Sequence, residues 1–206
     1  MRYLMLSAAA TFMIAANAAE PAATALVTVD IANEVGAIKP MNAVNNGPVA
    51  AHSDQSRGNF AGYRALRAPY ARTHDSINCV SGGAHTCDIS AVFPDFDADE
   101  DDPANYDFLF TDTYLKRIRD AGTEVFFRLG QTIEHGPKKY GTLPPKDFAK
   151  WARVCEHVIR HYNEGWANGF KWNIRYWEIW NEPDLEKDDE VDKRCWGGTE
   201  EQFFRF

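Results

Sequence analysis

Residues Arg175 to Asp184 read Arg-Tyr-Trp-Glu-Ile-Trp-Asn-Glu-Pro-Asp, and no other stretch of the chain gathers as much usable chemistry. β-branched and aromatic residues from Ile174 to Trp180 predict a strand, and Pro183, which has no N–H to give to a sheet ladder, ends it. Proline also steers the residue before it toward extended backbone, so Glu182 is expected to be extended at the lip of that strand. Apolar surroundings favour the neutral form of a carboxyl group, as a general acid requires, and Tyr176, Trp177 and Trp180 supply aromatic surface close to Glu182. Asn181 beside it can both donate and accept hydrogen bonds. Aromatic faces such as that of Trp180 suit a sugar ring lying flat.

The elements that must hold these residues follow from hydrophobic periodicity. Ala25 to Ile31 reads as a short strand, and Val44, among Asn42, Asn45 and Asn46, as a first barrel strand running into a polar loop. Phe60 to Leu66 predicts a helix and Tyr70 to His74 a strand. A long loop then runs to about Asn105 and holds the acidic run Asp95 to Asp102. Asp107 to Ala121 is helical, with Leu115 and Ile118 inward and Gly122 as the stop. Glu124 to Leu129 is a strand. Pro144 and Pro145 precede an amphipathic helix from Lys146 to about Asn163, whose apolar stripe is Phe148, Trp151, Cys155, Val158, Ile159 and Tyr162. Thr199 is placed to cap a last helix.

Strands alternating with helices mean βαβ units and a parallel sheet, so the fold class is α/β. In α/β barrels the active site is built at the C-terminal ends of the strands. His74 and Asp75, Arg128 and Gln131, and Asn181 and Glu182 all fall at such ends. The pattern alone also fits a doubly wound sheet.

The N-terminus carries a separate message. Arg2, an apolar run from Leu4 to Ala16, and the small-x-small site Ala16-Asn17-Ala18 predict a signal peptide over residues 1–18 and a secreted or periplasmic protein. The rest, 19–206, is about 190 residues, against the ~250 of a full eight-stranded α/β barrel. The net charge of −8 argues against nucleic acid or an anionic membrane as partner. Four cysteines in an exported chain suggest two disulfides with three possible connectivities, of which Cys79 with Cys87 across a local loop, leaving Cys155 with Cys195, is favoured.

The segment around Glu182 resembles the fourth strand of clan A retaining glycoside hydrolases, and most of all glycoside hydrolase family 39, which groups β-xylosidases and α-L-iduronidases. Val27-Thr-Val-Asp30 with Val35 to Pro40, Arg72-Thr-His-Asp75, Tyr106 to Gly130, Cys195-Trp196 and Phe203-Phe204 extend the likeness over most of residues 27–206. After His74 the family usually carries glycine, where this chain has Asp75. The resemblance implies a (β/α)8 TIM barrel of which the chain holds about the first half, strands 1–4. It implies a retaining O-glycosyl hydrolase acting on β-xylosides or related glycosides, a uronic-acid glycoside among them, with Glu182 as general acid/base and Asn181 contacting the sugar. No cofactor and no metal are implied. In the family the nucleophile is a glutamate at the end of the seventh strand, so the fragment alone is expected to be inactive. A non-catalytic carbohydrate-binding relative is the alternative.

Arg72 and His74 alternate along their strand and share a face. Arg72 is read as holding a catalytic carboxylate ionised and His74 as bonding a sugar hydroxyl. The competing reading is a structural ion pair of Arg72 or Arg128 with Glu178, which shares Glu182's face. His157 and His161 lie four apart on a helix, but the His-Glu-x-x-His zinc motif is absent and both are expected to face solvent. The acidic run lacks the glycine and the last glutamate of an EF-hand and reads as a solvated loop.

Overall fold

The computed structural model describes residues 28, 30, 32–37, 41–49, 58–75 and 85–206. The predicted signal segment, most of the predicted strand 25–31, and Cys79 lie outside the described residues. The chain divides into two units, residues 1–38 and 39–206. In the first, Asp30 builds a turn: its Oδ1 accepts the Ala32 N–H at 3.0 Å and its carbonyl that of Asn33 at 3.3 Å.

The second unit runs β1 (Val44–Asn45), α1 (Phe60–Leu66), β2 (Tyr70–Arg72), α2 (Ile89–Val92), α3 (Leu109–Asp120), β3 (Glu124–Leu129), α4 (Phe148–Asn163), β4 (Tyr176–Ile179) and α5 (Glu200–Arg205). Among the described residues the strands form one parallel sheet in the order β1-β2-β3-β4. A doubly wound sheet reverses its strand order at a switch point, and this sheet does not. Sequential parallel strands with helices between them are the opening arc of a (β/α)8 barrel.

Alternation along the strands sorts the two faces. Ala71, Val125, Phe127 and Leu129 are buried in the core with Leu115 and Ile118 of α3 and Val154, Cys155 and Val158 of α4. Burying a side chain of this kind is worth about 1.5–3 kcal/mol each. Arg72, Arg128 and Glu178 occupy the opposite parity, and register sets Arg128 beside Glu178. The helix ends are specified locally. Asp147 caps α4 by accepting the Lys150 N–H at 3.0 Å, and Thr199 with Gln202 forms a capping box on α5.

One expectation about α4 is corrected. His157 and His161 are 6% and 1% exposed rather than solvent-facing. Tyr106, Phe108, Trp166 and Phe170, from segments 100–108 and 166–172, fold over these two histidines. His157 stacks on Trp166 at 4.4 Å and meets the Tyr106 hydroxyl, while His161 stacks on Phe108 and contacts Asp112 and the Trp166 carbonyl. Each ring is thus held by partners of its own. The acidic run is a solvated loop as expected, with Asp95, Asp97, Asp99, Asp101 and Asp102 exposed, and Glu100 ties it to α4 by pairing with Lys150 at 3.2 Å and with Arg153. Hydrogen bonds from its own backbone N–H and from Arg153 lead in holding the Glu100 carboxyl down to about 2.

The predicted Cys155–Cys195 disulfide is absent. Both are buried free thiols, Cys155 on the inner face of α4 and Cys195 in the loop after β4. Burial raises the Cys155 thiol pKa well above its ordinary value. Among the described residues no helix is long and apolar enough to cross a membrane.

Candidate active site

The site begins where β4 ends. The Trp180 N–H donates to the Leu129 carbonyl at 2.6 Å, the last sheet contact, and the backbone then enters the left-handed region at Trp180 (φ 66°) and again at Glu182 (φ 42°). The extended conformation expected of Glu182 before Pro183 is therefore not adopted. Non-glycine residues held there cost about 1–3 kcal/mol each and cluster at functional sites. What holds them is visible in the neighbours. Trp180 is 1% exposed, lies against Trp151, Trp196 and Phe206, and donates its indole N–H to the Cys195 carbonyl at 2.7 Å. The ring that the sequence offered as a sugar platform is a core anchor in this chain.

That turn leaves Asn181 buried, 4% exposed, and Glu182 exposed. Asn181 is bonded at both ends of its amide. Its Oδ1 accepts from Arg72 Nη2 at 2.7 Å, and its Nδ2 donates to Glu182 Oε2 at 3.2 Å, with Cys195 Sγ 3.9 Å away. Arg72 reaches across β3 to Glu178, Nε to Oε2 at 2.5 Å and Nη2 to Oε1 at 2.6 Å. Of the two readings of Arg72, the pair with Glu178 is the one observed, and the same guanidinium orients the asparagine next to Glu182. With the amide oxygen committed to a cation, its N–H group is the end that faces the carboxylate.

Arg128 is fully buried and spent elsewhere. Its Nη2 pairs with Asp88 at 3.2 Å, its Nε donates to the Thr73 carbonyl at 3.3 Å, and its Nη1 to the Gln131 carbonyl. Asp88 also accepts the Thr132 N–H and hydroxyl, at 2.9 and 3.0 Å. Burial raises the Asp88 carboxyl pKa against the opposing pull of Arg128 and Thr132. Asp88 escaped the sequence reading, because it sits in a loop without periodicity and only the fold brings it to Arg128.

At the end of β2, His74 Nδ1 lies 3.3 Å from Asp75 Oδ1, and Asp75 Oδ1 accepts the Ile133 N–H at 3.2 Å. Asp75 has φ 45°, the conformation in which glycine is at ease and which aspartate tolerates, so the aspartate follows a course open to glycine. Burial leads in lowering the His74 pKa below its ordinary value. Asp75 and Glu182 oppose that shift, while Arg72 and Arg128 add to it. The imidazole thus senses charges at the ends of β2, β3 and β4 together.

A second tier supports the mouth from the loops. Glu186, 8% exposed, accepts from Arg194 Nε at 2.9 Å and from the Cys195 N–H at 3.3 Å. Burial, then the charges of Glu186 and Glu182, push the Cys195 thiol up to about 11. Glu134 gathers the N–H groups of Tyr140, Gly141 and Thr142 and the Thr142 hydroxyl onto one carboxylate. Among the described residues no group of three or more His, Cys, Asp or Glu side chains is placed to hold a metal ion.

Residues 25–206 match the family model described as glycosyl hydrolases family 39. The crystal structure of a glucosidase from Croceicoccus marinus superposes with a TM-score of 0.66 at 26% identity, over 84% of this chain and 33% of that one. The chain therefore spans about a third of the glucosidase's length.

Proposed function

The chain belongs to glycosyl hydrolases family 39, and from that premise we propose that it supplies the acid/base side of a retaining glycosidase site acting on β-xylosides or related glycosides in an exported enzyme. Glu182 protonates the leaving oxygen and later activates water. Asn181 orients that carboxylate and meets the sugar, and His74 bonds a sugar hydroxyl. The observation that carries the reading is the relay Arg72–Asn181–Glu182, in which a cation fixes an amide and the amide donates to an exposed carboxylate at a barrel-strand end.

A retaining mechanism needs a second carboxylate about 5–5.5 Å from the first. Glu178 is committed to Arg72, which it binds through both carboxylate oxygens. Asp88 is buried against Arg128. The nucleophile in this proposal comes from a segment other than these 206 residues. The intact protein would then be the hydrolase.

Glu182→Ala in the intact protein tests the role. General-acid help matters most where the leaving group is poor. Hydrolysis of unactivated glycosides should therefore fall by roughly 10²–10⁴-fold and that of activated aryl glycosides far less, with azide restoring turnover on the latter. Equal losses on both substrate types would contradict the acid/base assignment.

A further inference from the structure

The ring of His74 is largely covered, its side chain 15% exposed. Among the described residues its Nδ1 is buried without a hydrogen-bond partner, and the Asp75 carboxylate stands 3.3 Å away, close enough for charge contact but not aligned as a hydrogen bond. Asp75 is not free to drift. Its backbone is in the left-handed region and its Oδ1 holds the Ile133 N–H, which ties the end of β2 to the loop after β3.

The charged groups that bear on this imidazole are Asp75 beside it, Arg72 on β2, Arg128 on β3 and Glu182 after β4. The two guanidinium groups are each matched to a carboxylate, Arg72 to Glu178 and Arg128 to Asp88. Asp75 is the charged group in contact with Nδ1. A neutral imidazole places one proton on one of two nitrogens, and the neighbour of the other nitrogen decides which. With the proton on Nε2, the Nδ1 lone pair would face a carboxylate at contact distance. With the proton on Nδ1, an N–H faces it instead.

We propose that Asp75 is a positioning residue that holds the proton of the neutral His74 imidazole on Nδ1, leaving Nε2 as a bare hydrogen-bond acceptor for a sugar hydroxyl. The inference rests on the glycosidase reading for its ligand and adds a preference to it. An acceptor nitrogen backed by a carboxylate accepts an O–H and repels a carboxylate ligand. This side of the site therefore selects a neutral sugar over a uronate.

Two substitutions keep the backbone course while removing the charge, Asp75→Asn and Asp75→Gly, since both residues accept positive φ. The intact protein labelled with ¹⁵N-histidine, with His74→Gln to identify the signal, reports the tautomer directly by long-range ¹H–¹⁵N correlation. The native protein should show the Nδ1–H form. Both Asp75 variants should populate Nε2–H and lower the imidazole pKa further, because the charge opposing that shift is gone. In the kinetic arm, kcat/KM on a neutral aryl glycoside should fall roughly 2- to 10-fold in Asp75→Asn, and by no more when Asp75→Asn is added to His74→Ala. An Nε2–H native tautomer, or a tautomer and pKa unchanged in Asp75→Asn, overturns the proposal. Absence of hydrolysis on every glycoside would count against the glycosidase reading instead, and the tautomer measurement, which needs no turnover, would still decide the role of Asp75.

Discussion

Arg72→Met separates the support of Glu182 from the stability of the barrel mouth. Arg72 makes a two-point pair with Glu178 and a third bond to Asn181. The paired side chains are 22% and 27% exposed. Breaking a fully buried pair costs ~3–5 kcal/mol and an exposed one ~0–1 kcal/mol. For a pair three-quarters covered, an intermediate loss of about 2–3 kcal/mol is expected for Arg72→Met, most of it the cost of leaving the Glu178 carboxylate unpartnered. Glu178→Leu should cost less, about 1–2 kcal/mol, since Arg72 keeps Asn181. Arg72→Met with Glu178→Leu replaces two charges with two apolar side chains and should return close to native stability, a coupling of about 3–5 kcal/mol. Urea unfolding of the four proteins at neutral pH measures that coupling. Activity should behave differently. Both variants lacking Arg72 lose the donor that fixes the Asn181 amide, so kcat/KM on poor leaving groups should stay depressed by about tenfold, the worth of a charged hydrogen bond. A coupling under ~0.5 kcal/mol, or native kinetics in the stable double variant, would refute the relay.

Other features yield sharper local tests. Burial alone would raise the Glu134 carboxyl, but its bonds to Thr142, Tyr140 and Gly141 outweigh burial and hold it below its ordinary value of 4.5. A depressed folded pKa gives stability that is present above the unfolded value and lost as pH falls through the folded one. Protection of the Tyr140 and Thr142 amides against hydrogen exchange should therefore decline below about pH 4.5, and Glu134→Gln should remove that decline. Constant protection factors across the range would contradict it. Cys155 and Cys195 should resist alkylation in the native protein and react after unfolding without reductant. A disulfide-linked peptide containing both would refute the free-thiol assignment.

Much of the scaffold was legible because its elements bury one face. The stripe on α4 located that helix to within two residues of its start, Lys146 against Phe148, and the run Glu-Val-Phe-Phe-Arg-Leu located β3 without error. Periodicity reports how residues are spaced, not how many neighbours arrive. His157 and His161 are covered because Tyr106 and Phe108, about fifty residues earlier, and Trp166 and Phe170, in the loop after the helix, close over the side of α4 that its own pattern leaves polar. Asp88 was missed for the same reason, its partner lying forty residues on at Arg128.

The conformation of Glu182 shows how such distant contacts override a local rule. Pro183 biases its predecessor toward extended backbone, and two left-handed residues in succession around Asn181 cost about 2–6 kcal/mol together at ~1–3 each. Against this stands the burial of Trp180. An indole covers roughly 200 Å², worth about 5 kcal/mol at ~25 cal/mol per Å². Its bond to Cys195 and the two bonds of Asn181 add about 1 kcal/mol each. The contacts that turn the chain inward at Trp180 are therefore large enough to offset the strain that presents Glu182 outward. They depend on Arg72, Cys195 and Trp196, none of which belongs to the ten-residue stretch in which the carboxylate was recognised. The presence of Glu182 at a strand end is local information; its orientation is a property of the fold.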